Sequence, residues 1–317
     1  MLNPQPLAYP LTLPPPLRQG DAVRLVAASS ALSGDGAGQR LRAGCDLLAS
    51  WGLQLLGPAP LERHWGYLAG RDWQRRQDLL EADAPLRACV RGGWGAARLL
   101  ERLQALPAGW LLGFSDVTSL LWAQCASGRG GAIHGPLLTS LAAEPAWSQE
   151  RLRRLLFGEP LAPLQGQGWR GGVASGPLLV GNLTVATHLL GSRHLPDLSG
   201  AILILEDVGE APYRIERLLT HWRLCGALQQ LAAIGFGSFS GCDDGDDPEA
   251  AQELAAGRRF SLEQVLRERS ADLGIPVLAG LPVGHLAGNA ALPLGVMARL
   301  DANAGSLELL DSPSAGR

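Results

Sequence analysis

At 317 residues, with 46% hydrophobic and 18% charged residues and a net charge of −3, the chain has the make-up of a soluble globular protein. It lacks the basic excess that nucleic acid or an anionic membrane surface would select. All 27 basic residues are Arg, and the absence of Lys excludes Schiff-base chemistry, a phosphate-loop lysine and Ser-x-x-Lys hydrolase machinery.

The five Cys (Cys45, Cys89, Cys125, Cys225, Cys242) are scattered without a C-x-x-C pair, which argues against a zinc knuckle or a disulfide framework and for a reducing compartment. The first 20 residues hold six prolines and no basic residue before Arg18, unlike a signal peptide. No run approaches the ~18 apolar residues that span a bilayer. Residues 1–20 are therefore expected to form an extended arm, and the protein to be cytoplasmic.

Residues 22–28 read as a first strand. Residues 37–51 carry apolar side chains at helical spacing and end at Trp51-Gly52, where the glycine suits a C-cap. A strand over 53–56, a helix over 72–82, a strand over 86–90, a helix over 96–103, a strand over 110–114 and a helix from 116 to about 125 follow. This alternation predicts a parallel sheet with helices on both faces. From about 145 to 175, Pro145, Pro160, Pro163 and a cluster of Gly166, Gly168, Gly171 and Gly172 suggest a linker around a short helix at 148–157. A second set then begins with a strand at Pro177 and a helix after Gly181-Asn182. It continues with a strand over 201–205, a helix over 212–225, a strand over 231–237, a helix over 261–272, and short strands near 276–279, 296–300 and 306–310. Two α/β domains are expected, over 21–145 and 176–317, joined by a linker over 146–175.

Three polar islands follow apolar runs that read as buried strands: Gly113-Phe114-Ser115-Asp116, Leu205-Glu206-Asp207 and Val283-Gly284-His285. Open α/β sheets bind ligands outside the carboxyl ends of their strands. A hydroxyl, a carboxylate and an imidazole at three such ends are the parts of a nucleophile, an orienter and a base. Each has an ordinary reading too: Ser115 as a helix N-cap, Glu206 as a helix-start acid or a partner of Arg214 or Arg217, and His285 as a surface imidazole. Arg91-Gly92-Gly93-Trp94-Gly95 follows the third strand, and its N–H groups are suited to an anion. Ile133-His134-Gly135-Pro136 holds a second histidine, for the site or for structure. Other features are weaker. Gly34-Asp35-Gly36-Ala37-Gly38 lacks the G-x-G-x-x-G spacing, and the second strand ends in Gly57-Pro58 without an acid for a ribose. Asp243-Asp244-Gly245-Asp246-Asp247 lacks the order of an EF-hand, and His188 and His194 have no metal-ligand spacing. No metal or cofactor is expected.

Taken together, Gly66-Tyr67-Leu68-Ala69-Gly70-Arg71-Asp72, Arg91-Gly92-Gly93-Trp94-Gly95, Gly113-Phe114-Ser115-Asp116-Val117-Thr118, Ile133-His134-Gly135-Pro136, Gly181-Asn182-Leu183, Leu205-Glu206-Asp207 with Pro212-Tyr213 and Arg217, and Leu281-Pro282-Val283-Gly284-His285 resemble the LD-carboxypeptidase family of serine peptidases. The resemblance runs from about residue 20 to 300. It implies a Rossmann-like N-terminal domain, a smaller C-terminal α/β domain, and a homodimer. It implies Ser115, Glu206 and His285 as catalytic residues, and the backbone N–H groups of Gly93 and Asp116 as the oxyanion hole. Trp94 and His134 become candidate substrate contacts. The chain departs from the family where Trp94 replaces the more usual Tyr and Val180 replaces a glycine. The implied reaction removes the terminal D-alanine of a murein tetrapeptide. Two alternatives remain: a microcin-immunity-type peptidase acting on an aminoacyl or peptidyl nucleotide, and a catalytically idle muropeptide-binding protein.

Overall fold

The structure, a computed structural model, describes residues 9–57, 62–243 and 248–310. Residues 1–8 of the expected arm and residues 244–247 of the acidic turn lie outside them. In chain order the elements are β1 (Ala22–Val26), α1 (Ala37–Ser50), β2 (Gln54–Leu56), α2 (Asp72–Leu80), β3 (Leu86–Cys89), β4 (Trp110–Gly113), α3 (Thr118–Ala126), β5 (Ala132–His134), α4 (Leu138–Leu141) and α5 (Ala146–Leu156). Then come β6 (Leu164–Gln165), β7 (Gln167–Arg170), β8 (Val173–Asn182), α6 (Leu183–Thr187), β9 (Ile202–Val208), α7 (Pro212–Leu224), β10 (Ala233–Ser240), α8 (Pro248–Ala255), α9 (Leu262–Ala271), β11 (Val277–Ala279), β12 (Leu292–Pro293), β13 (Met297–Asp301) and β14 (Ser306–Leu309).

The strands form two sheets. The first has the order β12-β5-β4-β3-β1-β2 and is parallel except for β12. The second runs β6-β14-β13-β8-β9-β10-β11-β7, with β8 to β11 parallel. Every residue of β3 and β4 is buried, as expected of strands covered on both faces, including Arg87 of β3, whose guanidinium donates to Pro107 O at 2.8 Å. Helix ends follow local chemistry. Pro212 opens α7, where a missing N–H costs nothing. Ser261 caps α9 in a capping box, its Oγ accepting from Gln264 N–H at 3.1 Å and its N–H donating to Gln264 Oε1 at 2.8 Å.

Three expectations change. The segment expected as a linker around a short helix keeps that helix as α5 but also contributes β6, β7 and the start of β8 to the second sheet; its glycines serve strands that approach a neighbouring backbone closely, as Gly168 does beside Ala302. Residues 97–102 form a 3₁₀ turn rather than an α-helix. Finally, β5 and β12 were not anticipated, because runs of three and two residues are too short to show a period.

The two sheets share one interior. α3 lies between them, and its Trp122 donates from Nε1 to Val180 O of β8 at 2.8 Å and meets Trp222 of α7 edge to face at 6.1 Å. A continuous apolar core runs from Val26 and Leu111 through Trp122 to Ile204 and Trp222. The arm packs against both halves, with Leu11 N–H donating to Gly295 O and Leu17 N–H to Leu156 O, each at 2.8 Å.

Candidate active site

Ser115 stands where β4 gives way to the 3₁₀ turn that leads into α3. Its φ of 63° makes it the one non-glycine residue at positive φ among the described residues. Such a conformation costs on the order of 1–3 kcal/mol for a side-chain-bearing residue and recurs where a nucleophile is lifted clear of a strand end.

Glu206 lies on β9, in register with Asn182 of β8, and is fully buried. His285 sits on the loop between β11 and β12. Its Nδ1 lies 2.7 Å from Glu206 Oε2 and its Nε2 3.2 Å from Ser115 Oγ. Burial pushes the Glu206 carboxyl above the ordinary carboxylate range, and the bond and charge of His285 pull it back down. A buried carboxylate on Nδ1 favours the tautomer with its proton there, which leaves Nε2 free to accept from the serine hydroxyl. Arg214, one of the ordinary partners expected for Glu206, pairs with Glu210 instead.

The loop after β3 approaches Ser115 from the other side. Gly93 has φ +113°, and a Cβ there would lie 2.2 Å from Ser30 Oγ, so the position admits only glycine. Ser30 Oγ accepts the Trp94 N–H at 3.1 Å, and the Asp116 carboxylate accepts the Ala96 N–H at 2.8 Å. These two bonds pin both ends of the Gly93 turn. The N–H groups of Gly93 and Asp116 donate to no protein acceptor among the described residues. Burial raises the Asp116 carboxyl, and its hydrogen bonds lower it.

Ser115, His285, Phe114, Gly92 and Gly93 line a cleft of about 340 Å³, together with Leu32, Ser33, Ala37, Arg40, Arg91, Leu137 and Thr139. The two candidate substrate contacts fare differently. Trp94 is 61% exposed at the rim, edge-on to Tyr67 at 6.4 Å. His134 is fully buried behind Phe114, whose ring lies 5.6 Å from His134 and 4.7 Å from His285. It is not part of the cleft wall, and burial pushes its imidazole down to about 3, so it stays neutral.

Several residues that shape the site carry no motif. Glu144, just after α4, accepts Gly288 N–H at 2.7 Å and Asn289 N–H at 3.1 Å. Asn289 accepts Gly284 N–H at 2.9 Å, Ser148 donates to Asn289 O at 2.7 Å, and Ser240 donates to His285 O. Only Asn289 had a visible signal, as the end of the glycine-flanked histidine loop. Among the described residues no cluster of three His, Cys, Asp or Glu side chains is arranged to hold a metal ion.

Known proteins resemble this chain in sequence and in fold. Residues 23–135 match the LD-carboxypeptidase N-terminal domain and residues 175–300 the LD-carboxypeptidase C-terminal domain. A Synechocystis protein with a provisional carboxypeptidase name is 47% identical over 94% of this chain and 97% of its own. The chain belongs to the LD-carboxypeptidase family. The murein tetrapeptide carboxypeptidase of Pseudomonas aeruginosa is 39% identical over 77% of this chain and 82% of its own. Among solved structures, the microcin C7 self-immunity protein in complex with aspartyl sulfamoyl adenosine superposes with a TM-score of 0.80, covering 96% of this chain and 99% of that one at 22% identity. That likeness extends to the fold. The LD-carboxypeptidase fold thus joins the two sheets described above, and the family is one of peptidases.

Proposed function

We propose that the protein is a serine LD-carboxypeptidase that releases the terminal D-alanine of murein tetrapeptides. The single observation that carries this reading is the unbroken chain Ser115 Oγ–His285 Nε2 at 3.2 Å and His285 Nδ1–Glu206 Oε2 at 2.7 Å. The named activity of the Pseudomonas relative supports the substrate.

His285 Nε2 takes the Ser115 proton as Oγ attacks the L,D amide carbonyl, forming the O–C bond. The negative charge on the carbonyl oxygen is met by the N–H groups of Gly93 and Asp116; one such donor is typically worth ~3 kcal/mol. His285 passes the proton to the amine nitrogen as the C–N bond breaks, and D-alanine leaves. Water, deprotonated by His285, attacks the acyl ester and frees the shortened peptide, and the proton returns to Ser115. Glu206 orients the imidazole and stabilises its cation without taking the proton. Such an enzyme serves cell-wall recycling in the cytoplasm, and family resemblance extends the proposal to a homodimer, which sedimentation velocity checks.

Ser115→Ala is expected to lower D-alanine release from purified tetrapeptide by at least ~10⁴-fold while leaving the circular-dichroism spectrum unchanged. Release near the wild-type rate would overturn the assignment. Turnover of an aminoacyl sulfamoyl-adenosine with no turnover of tetrapeptide would redirect it to a microcin-immunity-type activity.

A further inference from the structure

The cleft beside Ser115 is lined by two guanidinium groups, Arg40 and Arg91, and by no carboxylate. Elsewhere in this Arg-only chain the guanidinium groups commonly meet acids: Arg24 pairs with Glu81 and Asp83, Arg63 with Asp78, and Arg153 with Glu150 and Glu159. Neither Arg40 nor Arg91 has an ion-pair partner among the described residues.

Arg91 is held in place by neutral acceptors. Its Nε donates to Gly92 O at 3.2 Å, and its Nη1 donates to Ala31 O at 2.9 Å and to Ser33 Oγ at 3.4 Å. A guanidinium carries five N–H donors, so this anchoring leaves both donors of Nη2 unspent. Arg40, in the first turn of α1, donates only from Nη1, to Asp35 O at 2.9 Å. The start of α1 adds to the same field. Ala37 lines the cleft, Gly36 caps the helix without a side-chain bond, and the first turn holds no acid. The remaining walls are small or apolar: Leu32, Ala37, Leu137 and Thr139.

A half-buried, unpaired cation with its fork already oriented is suited to a carboxylate, which it binds through short charge-assisted bonds. We propose that Arg91, assisted by Arg40, receives the free terminal carboxylate of the substrate, so that only the last residue of a peptide is presented to Ser115. This rests on the hydrolase reading above and adds to it the feature that distinguishes an exopeptidase from an endopeptidase. The cleft, at the small end of ligand-sized cavities (~300–1,000 Å³), takes one short residue with its carboxylate directed at the cations.

The test compares kcat/KM for a tetrapeptide with a free terminal carboxylate against the same peptide ending in a carboxamide. Wild type is expected to prefer the acid by on the order of 100-fold. Arg91→Gln should bring that ratio to within about 5-fold of unity. Arg91→Lys, which keeps the charge but loses the planar fork, should fall between. Arg40→Gln is exposed and breaks only one main-chain bond, so it tests the same site without disturbing the fold; it should lower the ratio by about 10-fold. Thermal unfolding of each variant separates loss of recognition from loss of structure. An acid-to-amide ratio unchanged in both Gln variants overturns the proposal. Equal cleavage of acid and amide by wild type overturns it while leaving the hydrolase standing. Cleavage of neither by wild type brings down the functional reading and this inference with it.

Discussion

Glu206 is asked to do two opposed things. In the proposed mechanism its charge is wanted to steady an imidazolium, yet it is fully buried on β9, where burial raises its pKa. The folded pKa therefore lies above the ordinary carboxylate value of ~4.3. In the window between those two values the folded state binds more protons than the unfolded state, so its contribution to stability falls as pH rises. Glu206→Gln removes that titration. The stability of wild type relative to E206Q should decline as pH rises above ~4, read by thermal unfolding at each pH; a difference flat with pH would contradict the buried carboxylate. The same variant should lose on the order of 10³-fold or more in kcat, because Gln orients the ring without stabilising its cation. Gly284 beside it is equally constrained. Its φ is +112°, and a Cβ would lie 2.6 Å from both Cβ and Oε2 of Glu206. Gly284→Ala is expected to cost about 2–3 kcal/mol of unfolding free energy from strain at positive φ, measured by urea denaturation, and to lower kcat as the carboxylate shifts.

The element that decides the site is the loop between β11 and β12. β11 belongs to the second sheet and β12 to the first, where Leu292 pairs with His134 of β5. The loop is thus strung between the two sheets, and His285 hangs over the gap that Ser115 faces. Glu144, contributed by the first half of the chain, ties the loop down through two backbone N–H groups. Charge-assisted bonds of this kind are worth ~1.5–3 kcal/mol each. Glu144→Ala is expected to lower kcat by roughly 10–100-fold with a smaller change in KM, and to speed amide exchange at Gly288 and Asn289. Unchanged exchange at those amides would show that the carboxylate does not hold the loop. The three principal side chains of the site were legible in the sequence because each sits between an apolar run and a glycine-rich or helical start. Ser30, Glu144 and Ser240 were not, because their roles are hydrogen bonds to backbone groups far along the chain, and such bonds leave no local period or motif.

At the scale of the whole molecule, Ser115, His285 and Glu206 come from two sheets whose interior is continuous. Trp122 on α3 fills that seam, fully buried and bonded to Val180 O. Trp122→Ala should cost about 3–5 kcal/mol and reduce activity even though the residue is remote from the cleft, since it ties α3, which follows the Ser115 turn, to β8, the strand paired with the β9 that carries Glu206. Calorimetry should record one unfolding transition for the wild type, because the shared core leaves no surface on which the halves separate cheaply. Two resolved transitions would contradict a common core.

The sequence by itself determined the α/β alternation, the parallel character of the first sheet and the kinship with LD-carboxypeptidases, and it singled out Ser115, Glu206 and His285, which the fold brings within hydrogen-bonding reach, because strand period, turn chemistry and motif order are local properties that survive in one dimension. It also determined that any Lys or Arg cation offered to a substrate is an arginine, since the chain contains no lysine. Tertiary structure alone decided that residues 164–170 are strands, that His134 lies behind Phe114 rather than in the cleft, and which two of 27 arginines face the nucleophile. Those outcomes depend on which distant backbones pair and which side chains the shared core excludes from water, and both are set by packing between segments well separated along the chain.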